Sequence, residues 1–180
     1  MRIGFLAVKG TARAQVLEAL GEIEGDVPAT LWSGSAVGVS PDGWVIVVKP
    51  DPEFPTSAQL AAASAQAEAV GYSACTVVMW TSACGYKDGC EVWRVEHDGQ
   101  QGDHLEASGD LPPSYEAALE TFRQKKADGA DNVDYVFDVT ENILTPICGF
   151  HPEIDFDFAF TALRPPPRRP GLLSRLFGRS

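Results

Sequence analysis

Apolar residues fall along the chain in short runs broken by glycine, proline and acidic clusters, and their spacing predicts a succession of strands and helices. Residues 2–8, an apolar run closed by Lys9, read as a buried strand. Thr11 offers a side-chain oxygen for a helix start and Gly21 a stop, with Val16, Leu17 and Leu20 on one face between them. Residues 22–28 read as an acidic loop. Residues 31–39 and 44–48 flank Ser40-Pro41-Asp42-Gly43, whose proline and glycine suit a tight turn. The unbroken run Val45-Ile46-Val47-Val48 predicts a strand covered on both faces. After Pro50, Pro52 and Pro55, the stretch Thr56-Ser57-Ala58-Gln59 matches a capping box. It opens an alanine-rich helix expected to reach Val70 and stop at Gly71.

Residues 74–80 and 91–96 are expected to pair as a hairpin through Gly85-Tyr86-Lys87-Asp88-Gly89, because Asp-Gly beside alternating residues favours a tight turn. Residues 104–106 add a short strand. Ser114 caps a helix in which Tyr115, Ala118, Leu119 and Phe122 recur at helical spacing, and Gly129 ends it. Residues 131–137 look extended. Asp138-Val139-Thr140-Glu141 resembles a second capping arrangement, opening a short helix that Pro146 interrupts. In residues 154–161 the alternation is strict, placing Phe156, Phe158 and Phe160 on a core face and Asp155, Asp157 and Thr161 on a wet one. Helices and strands do not alternate regularly, so the expected class is α+β. The architecture is a largely antiparallel or mixed sheet with helices packed on one face, over a single domain of residues 1–163.

Charge narrows the function. The chain has 180 residues, 44% of them hydrophobic, and a net charge of -11. Residues 164–180 hold five arginines and no acidic residue, so residues 1–163 carry 9 basic and 25 acidic side chains, a net of -16. Such a body repels nucleic acid, which binds through clustered Lys and Arg, and attracts a basic protein partner. No apolar run is long enough to cross a bilayer, and Lys9 comes too early for the apolar region of a signal peptide. Cys75, Cys84, Cys90 and Cys148 read as reduced thiols of a cytoplasmic protein; the alternative, for an exported chain, is a Cys84–Cys90 bridge.

Candidate chemistry is sparse. Cys84, Cys90, His97 and His104 are the residue types that bind zinc, but five, six and six residues separate them and no closely spaced pair occurs. Neither metal nor cofactor is expected. His97-Asp98 and Asp103-His104 bracket the loop Gly99-Gln100-Gln101-Gly102. A carboxylate can orient an imidazole for base catalysis, but no nucleophile is nominated, and the expected reading is a solvated hairpin loop. An enzyme with its site near His97 and His104, with His151 in reserve, is kept as an alternative. Trp32, Trp44, Trp80 and Trp93 lie in strand-like segments, most of them expected in the core. In the tail, Pro165-Pro166-Pro167-Arg168-Arg169-Pro170 is expected to be extended. Beyond it Leu172, Leu173, Leu176 and Phe177 share one helical side while Arg175 and Arg179 share another. Such a segment needs a surface to dock on, which is a partner, the protein's own acidic body or a membrane with anionic lipids; this gives a second alternative, an assembly or peripheral membrane adaptor.

The phrases Glu91-Val92-Trp93-Arg94-Val95-Glu96-His97-Asp98, His104-Leu105-Glu106, Gly109-Asp110-Leu111-Pro112-Pro113 and Val133-Asp134-Tyr135-Val136-Phe137-Asp138, closing on Gly149-Phe150-His151, resemble a family of uncharacterised bacterial proteins. Some similar small acidic proteins are regarded as immunity proteins of bacterial toxin systems. The resemblance implies protein binding, with a basic toxin as one such partner, and brings no catalytic residue with it. The expected function is a non-catalytic protein-binding module.

Overall fold

A computed structural model describes residues 1–29, 34–129, 133–154 and 157–164. Its strands are β1 (Arg2–Lys9), β2 (Ile23–Pro28), β3 (Ala36–Val39), β4 (Val45–Lys49), β5 (Glu68–Cys75), β6 (Trp80–Lys87), β7 (Cys90–Asp98), β8 (Leu105–Gly109) and β9 (Phe160–Arg164). Its helices are α1 (Arg13–Leu20), α2 (Ser57–Ala63), α3 (Ser114–Asp128) and α4 (Phe137–Cys148). The strands form one sheet in the order β2-β9-β3-β4-β1-β5-β6-β7-β8, antiparallel throughout. The α+β class and the antiparallel sheet are as expected.

The placement of the helices differs. Side chains alternate across a strand, and in β1 both sets are apolar: Ile3, Phe5 and Ala7 enter one core cluster, Leu6 and Val8 another. β4 does the same, with Ile46 and Val48 on one side and Val45 and Val47 on the other. A single helical layer would leave one set in water. Accordingly α4, with α3 beside it, covers the first face through Val139, Ile143, Leu144 and Ala118, and α1 with α2 covers the second through Val16, Leu17, Leu60 and Ala63. Helices therefore lie on both faces rather than one. The expected two-sided burial of Val45-Ile46-Val47-Val48 holds.

Several local expectations change, each for a physical reason. The first helix is capped at Ala12, not Thr11; Gln15 Oε1 accepts the Ala12 N–H at 3.3 Å. The acidic segment 22–28 is strand β2, because β9 arrives from far along the chain to pair with it. The capping box at Thr56 forms, with the hydroxyl accepting from Gln59 N at 3.2 Å. The helix stops at Ala63, however, where the Ser64 hydroxyl turns back onto Leu60 O at 2.7 Å. Residues 68–75 become strand β5 between β1 and β6, with Gly71 and Ser73 letting α2 and the 51–55 segment sit close on one face. Residues 76–79 are therefore a turn, and the Asp88-Gly89 hairpin joins β6 to β7, both turn residues having positive φ (49° and 79°). Ser114 is the first residue of α3 rather than its cap, and its hydroxyl donates to Ile143 O at 2.8 Å. Asp138 lies inside α4; Asp134 supplies the capping oxygen instead, accepting from Val136 N and Phe137 N at 3.2 and 3.3 Å. Pro146 sits within α4 without ending it. Of the extended stretch expected over 131–137, the described residues from 133 on include no strand. Of the alternating segment 154–161, Phe160 and Thr161 lie in β9, while Asp155 and Phe156 lie outside the described residues. Phe158 and Phe160 pack on each other and around Phe150, with centroids 5.3, 6.3 and 5.7 Å apart, so the aromatic spacing builds a cluster rather than a ladder.

Gly4 shows how tightly the second face is covered. A Cβ there would lie 1.6 Å from Phe54 O, so only glycine lets the 51–55 segment lie across β1 and β5. Ser73 ties the same carbonyl down at 2.8 Å.

Candidate functional site

The α1/α2 layer and the 51–55 segment cover β4, β1 and β5 but stop short of β7 and β8. The registers give three rows that run from beneath this cover out onto the open part of the face. Cys75, Trp80 and Asp98 stand in one row across the sheet; Ser73, Ser82, Glu96 and Glu106 in the next; Gly71, Cys84, Arg94 and Ser108 in the third. Two grooves meet here. One, of about 390 Å³, has Pro52, Glu53, Pro55 and Trp80 along its walls and Ser82 and Arg94 in its floor. The other, of about 340 Å³, is bounded by Arg94, Glu96, Glu106 and Ser108. Arg94 is common to both, so they form a continuous trough running to the sheet edge at β8.

Hydrogen bonds fix the floor. Arg94 donates from Nη1 to Ser82 Oγ at 3.1 Å and from Nε to Glu91 Oε1 at 3.2 Å, and Nη2 pairs with Glu91 Oε2. The Glu91 partnership raises the guanidinium pKa and, in return, lowers that of the Glu91 carboxyl. The arginine is thus already neutralised within the protein. Trp80 Nε1–H donates to Glu96 Oε1 at 2.9 Å, standing the indole beside the carboxylates. Glu96 and Glu106 are direct cross-strand neighbours on this face. Like charges directly opposite each other in a sheet are destabilising. The described side chain that reaches Glu106 is the exposed His104, whose Nε2 lies 3.5 Å from Glu106 Oε1. The trough is therefore acidic, partly apolar and open.

The histidines fall elsewhere. His97 is fully buried on the opposite face, with Nδ1 donating to His104 O at 2.8 Å and Nε2 meeting Asp134 Oδ2 at 2.9 Å. Asp134, distant in sequence, is its carboxylate partner; the adjacent Asp98 instead accepts from Gln100 N at 3.0 Å. The His97–Asp134 pair thus locks β7 to the start of α4. His104 is exposed and Asp103 pairs with Lys126. Cys84 faces the α1/α2 side while His97 faces α4, and Cys90 lies at the hairpin end of β7, so the four zinc-type residues do not converge. Among the described residues no group of three or more His, Cys, Asp and Glu is placed to hold a metal ion. All four cysteines are free thiols, without a Cys84–Cys90 bridge; burial pushes Cys84 up to about 12 and Cys148 up to about 11. Trp44 and Trp93 are buried, Trp80 borders the trough, and Trp32 lies outside the described residues. So do Leu172, Leu173, Arg175, Leu176, Phe177 and Arg179.

His151, the third histidine, joins two residues that its sequence context did not nominate, Glu141 and Tyr72. Glu141, only 4% exposed, accepts a hydrogen bond from the Tyr72 hydroxyl, and His151 Nε2 lies 3.1 Å from its other oxygen. His151 Nδ1 accepts from Glu153 N at 3.1 Å, which places the ring proton on Nε2, toward Glu141. Burial raises Glu141 to about 7 and raises Tyr72 well above its ordinary value, while it lowers His151. The sequence held a signal for this group: Phe137, Glu141, Leu144 and Cys148 follow the apolar stripe of α4, so Glu141 occupies a core position. Imidazole, carboxylate and phenol meet here, but none of the described grooves is lined by them. Their evident effect is to pin α4 and the 149–153 segment to the centre of the sheet.

The chain matches no family model, no curated protein sequence and no solved structure. No helix among the described residues is long and apolar enough to cross a membrane.

Proposed function

We propose that the protein is a cytoplasmic, non-catalytic binding module that receives a basic protein partner in the acidic trough over β6, β7 and β8. The observation that carries this reading is the Glu96–Glu106 pair. Two facing carboxylates sit on an open surface at a cost that a partner's Arg or Lys would remove. The net charge of -11 adds long-range attraction for a basic chain and speeds encounter at low salt. The partner class is in keeping with the sequence resemblance to immunity proteins, which implies protein binding with a basic toxin as one such partner.

Affinity purification from the native host, comparing wild type with Glu96→Gln/Glu106→Gln, tests the reading. The wild type should recover a stoichiometric basic protein that is released by salt and absent from the variant. A partner retained equally by the variant, or no stoichiometric partner at all, overturns it.

An enzymatic reading has one observation in its favour, the meeting of His151, Glu141 and Tyr72. It requires an entry path to these groups that none of the described grooves supplies. The adaptor reading rests on residues 172–179, and liposome flotation of the full chain decides it.

A further inference from the structure

We infer that residues 165–180 of this chain are themselves a ligand for the acidic trough, occupying it in cis and competing there with a basic partner. This rests on the reading of the trough as a docking surface for basic chains, and goes further by naming one occupant.

Charge is the first support. Residues 165–180 contain Arg168, Arg169, Arg175 and Arg179 and no acidic side chain. The trough presents Glu53, Glu96 and Glu106, while its own Arg94 is engaged by Glu91.

Topology is the second. Strand β9 ends at Arg164, and the registers carry the level of its neighbour Ala162 across the sheet through Ala36, Val48, Phe5, Tyr72, Ala83 and Val95. Arg164, two residues further on, therefore leaves the sheet at the end where Trp80 and Asp98 stand. Six strand intervals separate β9 from β7. At about 4.8 Å each this is a span of about 29 Å. The sixteen residues after Arg164 reach about 50 Å when extended. The tail starts at the correct end and is long enough to cross.

Chemical match is the third. The trough walls combine Trp80, Pro52 and Pro55 with carboxylates. The tail opens with Pro165, Pro166 and Pro167 followed by paired arginines. Proline rings pack on an indole and guanidinium groups meet carboxylates, as in grooves that take proline-rich chains. Tethering raises the local concentration of the segment to about the millimolar range, so even weak contacts keep it docked.

The test uses the full chain, isotopically labelled, and a full-chain variant in which Arg168, Arg169, Arg175 and Arg179 are all replaced by Gln. Neutralising the tail should shift the Trp80 indole N–H and the amide signals of Glu96, Glu106 and Ser108. A synthetic peptide of residues 165–180 added to the variant should restore them, and high salt should abolish the restoration. An octa-arginine peptide should bind the variant about tenfold more tightly than it binds the wild type, whose tail competes. Unchanged signals at these positions overturn the inference. If octa-arginine then binds both proteins equally in the trough, the docking surface stands without the tail; if it binds neither there, both readings fall. Differences that depend on protein concentration place the tail on a second molecule and overturn docking in cis.

Discussion

Replacing Glu141 by Gln separates the cost of its charge from its place in the structure. Glu141 is 4% exposed, and burial raises its pKa from 4.5 to about 7. At about 1.4 kcal/mol per pH unit, this gap makes ionisation cost the folded state about 3 kcal/mol. The sign follows from the upward shift: the stabilising contribution of the protonated carboxyl is fully present below pH 4.5 and is lost as pH rises through 7. Glutamine stays neutral and keeps an acceptor for the His151 Nε2–H and a donor for the Tyr72 oxygen. The stability of Glu141→Gln relative to wild type should therefore rise by about 3 kcal/mol between about pH 4 and about pH 8. His151, whose pKa burial lowers, works in the opposite direction by destabilising the fold as pH falls; because it contacts Glu141, the same comparison in a His151→Gln background isolates the carboxyl. Urea unfolding followed by tryptophan fluorescence at a series of pH values measures the difference. A flat or falling difference would refute the reasoning, and would mean that the Tyr72 and His151 hydrogen bonds hold the carboxylate ionised against burial.

Two further outcomes test the packing. Gly85→Ala would place a methyl group 2.0 Å from Trp93 Nε1, so the indole must move; the expected loss is about 1–3 kcal/mol, and a urea midpoint equal to wild type contradicts the close approach. Iodoacetamide under native conditions should label exposed Cys90 and spare Cys84 and Cys148, whose thiols are buried and raised to about 12 and about 11. Mass mapping that finds either buried thiol alkylated as fast as Cys90 contradicts the placement of both.

Much of the fold was legible because local patterns agreed with it. The run Val45-Ile46-Val47-Val48 announced two covered faces, and Asp88-Gly89 announced its hairpin. Failures came where distant segments decided. The alanine-rich stretch after Ser64 favours helix by propensity. Yet residues 68–75 become a strand because β1 and β6 offer backbone partners on both sides, with Gly71 and Ser73 leaving room for the 51–55 segment on one face and Tyr72 filling the core on the other. Residues 22–28 have no strand signal until β9 reaches them. The phenylalanines at 158 and 160 alternate as in a strand but serve an aromatic cluster around Phe150. The candidate site was invisible for the same reason. Glu96 and Glu106 become neighbours only through the β7–β8 register, and Trp80 joins them only through β6. Asp134 could not be assigned to His97 from sequence, being thirty-seven residues away.

The footprint of a basic partner is the most direct test of the central claim. Hydrogen–deuterium exchange of the purified complex, read against the free protein, locates the partner without altering a residue. Protection confined to β7, β8 and the Trp80 end of β6 is the predicted result. Protection centred on α3 and α4, with β7 and β8 exchanging as in the free protein, would contradict it.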